Sequence, residues 1–216
     1  MRSVGLAVGA VMLLTGALQG QDTTALRSGR RPLLALEREV ALARSAAPPA
    51  VSDSATVYVL GDSAYRVAVR GTNGNACFVS RDWMDTIEPH CFDAEGAATI
   101  LPMEIMHVEI LHRGGSEAAA RRAIADALQD GRLRLPSRPA MSYMMSSDQW
   151  LIDDQRQVGG HWHPHLMIYV PYVTNALLGL GGGSAITARV FGEGTPWASI
   201  VIQLTEFVPP AGVASR

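Results

Sequence analysis

Residues 56–80 read TVYVLGDSAYRVAVRGTNGNACFVS, and the fold is decided in this stretch. Thr56–Leu60 is rich in β-branched and aromatic residues, as strands are. Gly61-Asp62-Ser63 reads as a tight turn. Beyond it Tyr65, Val67 and Val69 alternate with Arg66, Ala68 and Arg70, the period of two of a strand with two different faces. Asn73-Gly74 is a strong hairpin signal, because both residues tolerate positive φ. Asn75–Ser80 completes a third strand and carries Cys77. The three together predict an antiparallel β-meander.

On the N-terminal side, Pro32 suits a first helical position. Leu33, Leu36, Val40 and Ala43 then share one helical face, and Pro48-Pro49 ends the helix. On the C-terminal side, two helices are expected. Pro102 opens the first, with Met103, Met106, His107, Ile110 and Leu111 along one stripe, and Gly114-Gly115 stops it. Ser116 caps the second, Ala120, Ala123, Ile124, Ala127 and Leu128 form its buried stripe, and Gly131 ends it. Later strands are expected at Met141–Met145, Gln149–Ile152, Leu166–Val170, Ile186–Phe191 and Ala198–Leu204. The run Leu166–Val170 lacks alternation, which predicts burial on both faces. The sum is an α+β fold in a single domain over residues 32–208: an N-terminal helix, the meander, and a helical hairpin packed on a mixed or antiparallel sheet. Pro209-Pro210 opens an expected disordered tail, residues 209–216.

Arg2 precedes an uncharged run, Val4–Leu14, followed by Thr15, Gly16 and Ala17. This is the pattern of a signal peptide, expected over residues 1–20, and the run is short of the ~20 residues a spanning helix needs. Residues 21–31 read as a loose polar segment. The expected location is periplasmic or extracellular, with no membrane span after cleavage. In an oxidising compartment Cys77 and Cys91, the only two cysteines, read as a disulfide. The net charge of −2 gives no basic face for nucleic acid. Every basic residue is arginine. Without lysine, Schiff-base chemistry, a Walker P-loop and a Ser-Lys acylase are excluded.

One dense cluster has metal-ligand chemistry: His161-Trp162-His163-Pro164-His165. On an extended backbone residues two apart point the same way, so His161 with His163, or His163 with His165, could chelate one ion. A third ligand could come from His90, His112, Asp153, Asp154 or Glu88. Imidazole suits zinc or copper, and Met144, Met145 or Met167 would favour copper. The plainer reading is a polar entry to a strand after a Gly159-Gly160 turn. The H-E-x-x-H helix of zincins is missing, and Ser184 stands in no G-x-S-x-G elbow. His107, on its apolar stripe, reads as a hydrogen-bonded core histidine. Arg132, Arg134 and Arg138 read as a solvated basic loop.

Three strings together resemble a group of secreted bacterial proteins of unknown function. They are Arg70-Gly71-Thr72-Asn73-Gly74 with Cys77, Glu88-Pro89-His90-Cys91, and Pro164-His165-Leu166-Met167 with Tyr169 and Pro171-Tyr172. The resemblance implies that the cysteines pair and that His165 and Tyr169 lie in the matching motif. His161 and His163 are not characteristic of that group, so His165 becomes the residue to watch. No recognisable catalytic motif is present. The functional expectation is therefore a non-catalytic binding, sensory or structural domain, exported and held by one disulfide. The competing expectation is a metal-dependent hydrolase or periplasmic metal-handling protein using His161, His163 and His165.

Overall fold

The computed structural model describes residues 31–82, 87–149, 163–180 and 188–212. The expected leader, the loose segment as far as Arg30, His161 and the last four residues of the expected tail lie outside them. So does the strand expected at Gln149–Ile152, beyond its first residue. The chain is α+β, with one eight-stranded mixed sheet. In chain order the elements are α1 (Leu36–Arg44), α2 (Pro49–Ser52), β1 (Thr56–Leu60), β2 (Tyr65–Val69), β3 (Ala76–Ser80), β4 (Glu88–Phe92), α3 (Ala94–His112), α4 (Glu117–Gln129), β5 (Ala140–Met144), β6 (His165–Tyr169), β7 (Arg189–Phe191) and β8 (Ser199–Gln203). The sheet order is β2-β1-β3-β4-β5-β6-β8-β7.

The first three strands correct the expected meander. β1 and β2 form an antiparallel hairpin, but β3 lies on the far side of β1 and runs parallel to it. The chain after β2 crosses back past the start of β1, where Thr72 N–H donates to Ser54 O at 2.8 Å and Thr56 N–H to Asn75 O at 2.9 Å. Gly71 permits the crossing. A Cβ there would stand 2.2 Å from Thr56 N and 2.3 Å from the Ala55 carbonyl carbon. Gly74, at φ +79°, turns the chain into β3 rather than closing a β2–β3 hairpin.

Three further expectations change. α1 begins at Leu36 rather than at Pro32, leaving Leu33 outside the helix. α3 begins eight residues before Pro102, because the Asp93 side chain caps it by accepting from Gly96 N–H at 2.8 Å. Pro102 sits inside the helix. β6 is buried on alternate residues rather than on both faces, since Leu166 and Ile168 are half-buried. The helical hairpin is as expected. Gly114 at φ +83° ends α3, and Ser116 caps α4 by accepting from Ala119 N–H.

The sheet is a middle layer. On one face α1 packs over β1, β3 and β4, enclosing Leu42, Ala43, Val57, Val59, Val79 and the buried Cys77–Cys91 disulfide. On the other, α3 packs over β3, β4 and β5, enclosing Phe78, Phe92, Ile100, Met103 and Ile124. Among the described residues the principal helix contacts stop at β5, and no such helix packing covers β6, β8 and β7 on this second face. Among the described residues no helix is long and apolar enough to cross a membrane.

Candidate functional site

The half of that face over β6, β8 and β7 holds a cavity of about 390 Å³, within the ~300–1,000 Å³ typical of ligand pockets. The sheet register assembles its floor. Met167 pairs with Val201 and His165 with Gln203 across β6 and β8. Val201 pairs with Arg189 on β7, and Met144 on β5 pairs with His165. With a side-chain period of two, these positions share one face. Phe191 and Trp197 add an aromatic side, and Asp82, Glu88, His90 and Glu104 form the polar end.

A proline opens this end. Cys77 and Cys91 face each other in the β3–β4 ladder, with Cα atoms 4.0 Å apart. That is the close spacing of a non-hydrogen-bonded antiparallel pair. Two residues on, Val79–Pro89 is a pair of the same kind. The Val79 carbonyl accordingly accepts from elsewhere, from Tyr65 O–H at 2.6 Å and Arg81 Nη1 at 2.7 Å. The missing N–H of Pro89 thus faces β5, where it cannot donate. The β4–β5 ladder spans only Cys91–Tyr143 and Phe92–Ser142. Glu88 and His90 stand beyond it, two apart on one face of β4, beside the cavity.

Asp82 comes from the segment that continues β3. The fully buried Arg81 anchors it by donating to Glu39 Oε1 at 3.0 Å and to Pro32 O at 2.7 Å, while Arg31 Nη2 holds the Asp82 carbonyl at 3.0 Å. Across from it, Glu104 and His107 lie three apart on α3 and so share a helix face. His107 Nδ1 is 3.3 Å from Asp82 Oδ1, and Nε2 is 2.9 Å from Glu117 Oε2. With a carboxylate at each nitrogen, the ring donates from both as an imidazolium. Burial works against that charge, but the hydrogen bonds and charges of Asp82 and Glu117 raise its pKa overall.

The three carboxyl groups differ. Burial opposes the Asp82 charge, yet the His107 hydrogen bond holds its pKa below the usual range. Burial, then the charge and hydrogen bond of Asp82 and the charge of Glu88, put Glu104 well above it. Glu88 is raised by burial, with Asp82 adding and His90 opposing. Asp82 and Glu104 line the same end of the cavity, and the Asp82 charge favours the protonated form of Glu104. Charge separation of neighbouring acids in a cavity is a feature of functional sites.

The imidazoles are distinct as well. His90 is 5% exposed, and its Nδ1 lies 3.1 Å from Ser142 Oγ. Its Nε2 has no hydrogen-bond partner among the described residues. The nearest acidic oxygen, Glu88 Oε2, is 3.9 Å away, too far for a hydrogen bond. His165 Nδ1 donates to its own chain, to His163 O at 2.8 Å, which fixes the tautomer. Burial lowers the His165 pKa, and nearby His90 and Arg189 add to the effect. Tyr169 is buried beside Phe92. Burial and then the Glu104 and Asp82 charges push its phenol well up, keeping it protonated.

The residues expected from sequence are thus divided. His163, His165, Met144 and Met167 line the cavity with two of the suggested third ligands, Glu88 and His90. His112 lies elsewhere, accepting from Arg31 N–H at 3.1 Å and donating to Asp62 O at 3.0 Å. Asp153 and Asp154, like His161, fall outside the described residues. Among the described residues, no group of three His, Cys, Asp or Glu is arranged to hold a metal. Arg134 and Arg138 pair with Glu95 at 3.1 and 3.3 Å. Asp82 and Glu104 were not singled out by sequence. The signal that could have found them is the Glu104-x-x-His107 spacing, which gives one helix face two charge-bearing groups. No known family, curated protein or solved structure matches the chain.

Proposed function

We propose that this chain is an exported small-molecule binding domain, with its ligand seated in the cavity over β4–β8. The apolar part of the ligand packs on Met144, Met167, Phe191 and Trp197, and its polar end meets Asp82, Glu88, Glu104 and His90. The carrying observation is the convergence of three buried or half-buried carboxyl groups and a buried imidazole on one end of an otherwise apolar cavity. That composition is usual for ligand sites. The buried disulfide suits an oxidising compartment, and the likeness to secreted bacterial proteins, with His165 and Tyr169 in its motif, agrees with export.

The test uses the mature protein, a fragment library and Trp197 fluorescence, with Met144→Trp to fill the cavity. Fragments with Kd under about 1 mM that lose binding in Met144→Trp support the reading. A library with no cavity-dependent binder sinks it.

A second reading rests on Asp82, paired with His107 at 3.3 Å, beside Glu104, whose pKa is pushed well up, at the edge of an apolar cavity, which suits general acid–base catalysis. Turnover of an ester, glycoside or phosphoester panel that disappears in Glu104→Gln would favour this enzyme. The metal-handling reading, with zinc or copper on His163, His165 and His161, predicts near-stoichiometric metal in untagged protein. Substoichiometric metal and no rise in Tm on adding either ion would end it.

A further inference from the structure

Resting on the cavity reading, we infer that the polar end recognises a primary ammonium group carried on an apolar or aromatic body. Three carboxyl groups reach this end from three separate elements: Asp82 after β3, Glu88 on β4 and Glu104 on α3. Asp82 is paired with His107 at 3.3 Å, and Glu88 faces the His90 ring at the longer distance of 3.9 Å. Among the described residues no arginine pairs with Glu88 or Glu104. A buried acid without a cation carries an unmet electrostatic demand, which a ligand charge satisfies.

The independent observation is His90. It is 95% shielded and lines the cavity, yet its Nε2 meets no hydrogen-bond partner among the described residues. A buried polar atom left this way marks a missing partner. In the tautomer that protonates Nδ1 toward Ser142 Oγ, 3.1 Å away, Nε2 is an acceptor, and we assign this tautomer to the occupied site. Once its acids are ionised, the polar end presents carboxylate oxygens and, in that tautomer, one imidazole lone pair. An ammonium offers three N–H donors and a positive charge to match. Phe191 and Trp197 bound the same cavity, and aromatic walls also favour a cation.

An incoming ammonium favours the ionised forms of Glu88 and Glu104, whose pKa values burial raises. Binding therefore releases protons to the buffer. His107 and Arg189 are the facing cations, and His163 and His165 the other titratable rings. His107 stays paired with Asp82 and Glu117, while Arg189 sits across the sheet on β7, away from the acids.

The experiment compares three near-isosteric probes on the mature protein at neutral pH: phenethylammonium, 2-phenylethanol and 3-phenylpropionate. Calorimetry in two buffers of different ionisation enthalpy reads affinity and proton release together. The ammonium is expected to bind about tenfold to a hundredfold tighter than the alcohol, the scale of a hydrogen-bonded charge, with protons released. Glu88→Gln and Glu104→Gln should each collapse that preference while melting cooperatively, which shows that they fold. Equal binding of ammonium and alcohol overturns the inference but leaves the cavity reading standing. Preference for the carboxylate, or a Tm rise with calcium or zinc alone that needs Glu88, also overturns it. Binding of none of the three probes overturns the inference as well, and the fragment library alone decides the cavity reading.

Discussion

Replacing both cysteines by alanine should destabilise the domain by about 3 kcal/mol. The bridge closes a loop of sequence separation 14, and the loop-entropy relation for that length gives roughly 3 kcal/mol at 25 °C. Both side chains are fully buried in the α1-facing core, so the double substitution also trims packing, and about 3 is a lower bound. For a domain of this size each kcal/mol moves Tm by ~2–4 °C, so the fall should be about 6–12 °C. Urea unfolding of oxidised wild type against Cys77→Ala/Cys91→Ala measures it, and the variant should show the larger m-value because its unfolded chain is less compact. The bridge also clamps β4 beside His90, so cavity ligands should bind the variant more weakly. A stability loss under about 1 kcal/mol, or two free thiols in the mature wild type by mass spectrometry, would refute the reasoning.

The raised pKa of Glu104 gives a pH prediction with a definite sign. Above the ordinary glutamate value of about 4.3 and below its own raised value, the native state keeps a proton that the unfolded chain has lost. Wild-type stability should therefore fall as pH rises through this window. Glu104→Gln should flatten the fall in denaturant titrations at several pH values, and an unchanged slope would count against the buried acid. Arg81→Met leaves the buried Glu39 carboxylate without its cation and should cost ~3–5 kcal/mol, with much of it recovered in Glu39→Met/Arg81→Met; equal losses in single and double variants would contradict this. Gly71→Ala drives a methyl into the Ala55–Thr56 backbone and should cost at least the ~1–3 kcal/mol of overpacking. A near-neutral Gly71→Ala in thermal melts would undo the explanation of how the chain crosses to β3.

Local signals in the sequence were good guides to local structure. The glycine break at Gly114-Gly115 and the Ser116 cap place the helical hairpin, because caps act within one turn. Pro102 misled, since a proline reads as a helix start while the Asp93 side chain had already begun the helix. Strand order was hidden for a different reason. Asn73-Gly74 makes a turn, but which strand β3 then joins depends on how closely Gly71 lets the chain pass β1, a contact about fifteen residues back. The site was half legible. His165, Glu88 and His90 could be named as ligand-type side chains from residue type alone, but Glu88–Phe92 carries Pro89 and no apolar alternation, so its being a strand with Glu88 and His90 on one face was not legible. Their meeting with Asp82 and Glu104 rests on β4 splaying from β5 at Pro89 and on α3 crossing above, neither of which any local pattern encodes.

The most direct test of the central claim is a series of fragment-soaked crystals of the mature protein. Bound fragments should gather over Met144, Met167 and Trp197, with polar atoms directed at Glu88, Glu104 and His90. Fragments that settle elsewhere, with this cavity closed by side chains, would contradict it.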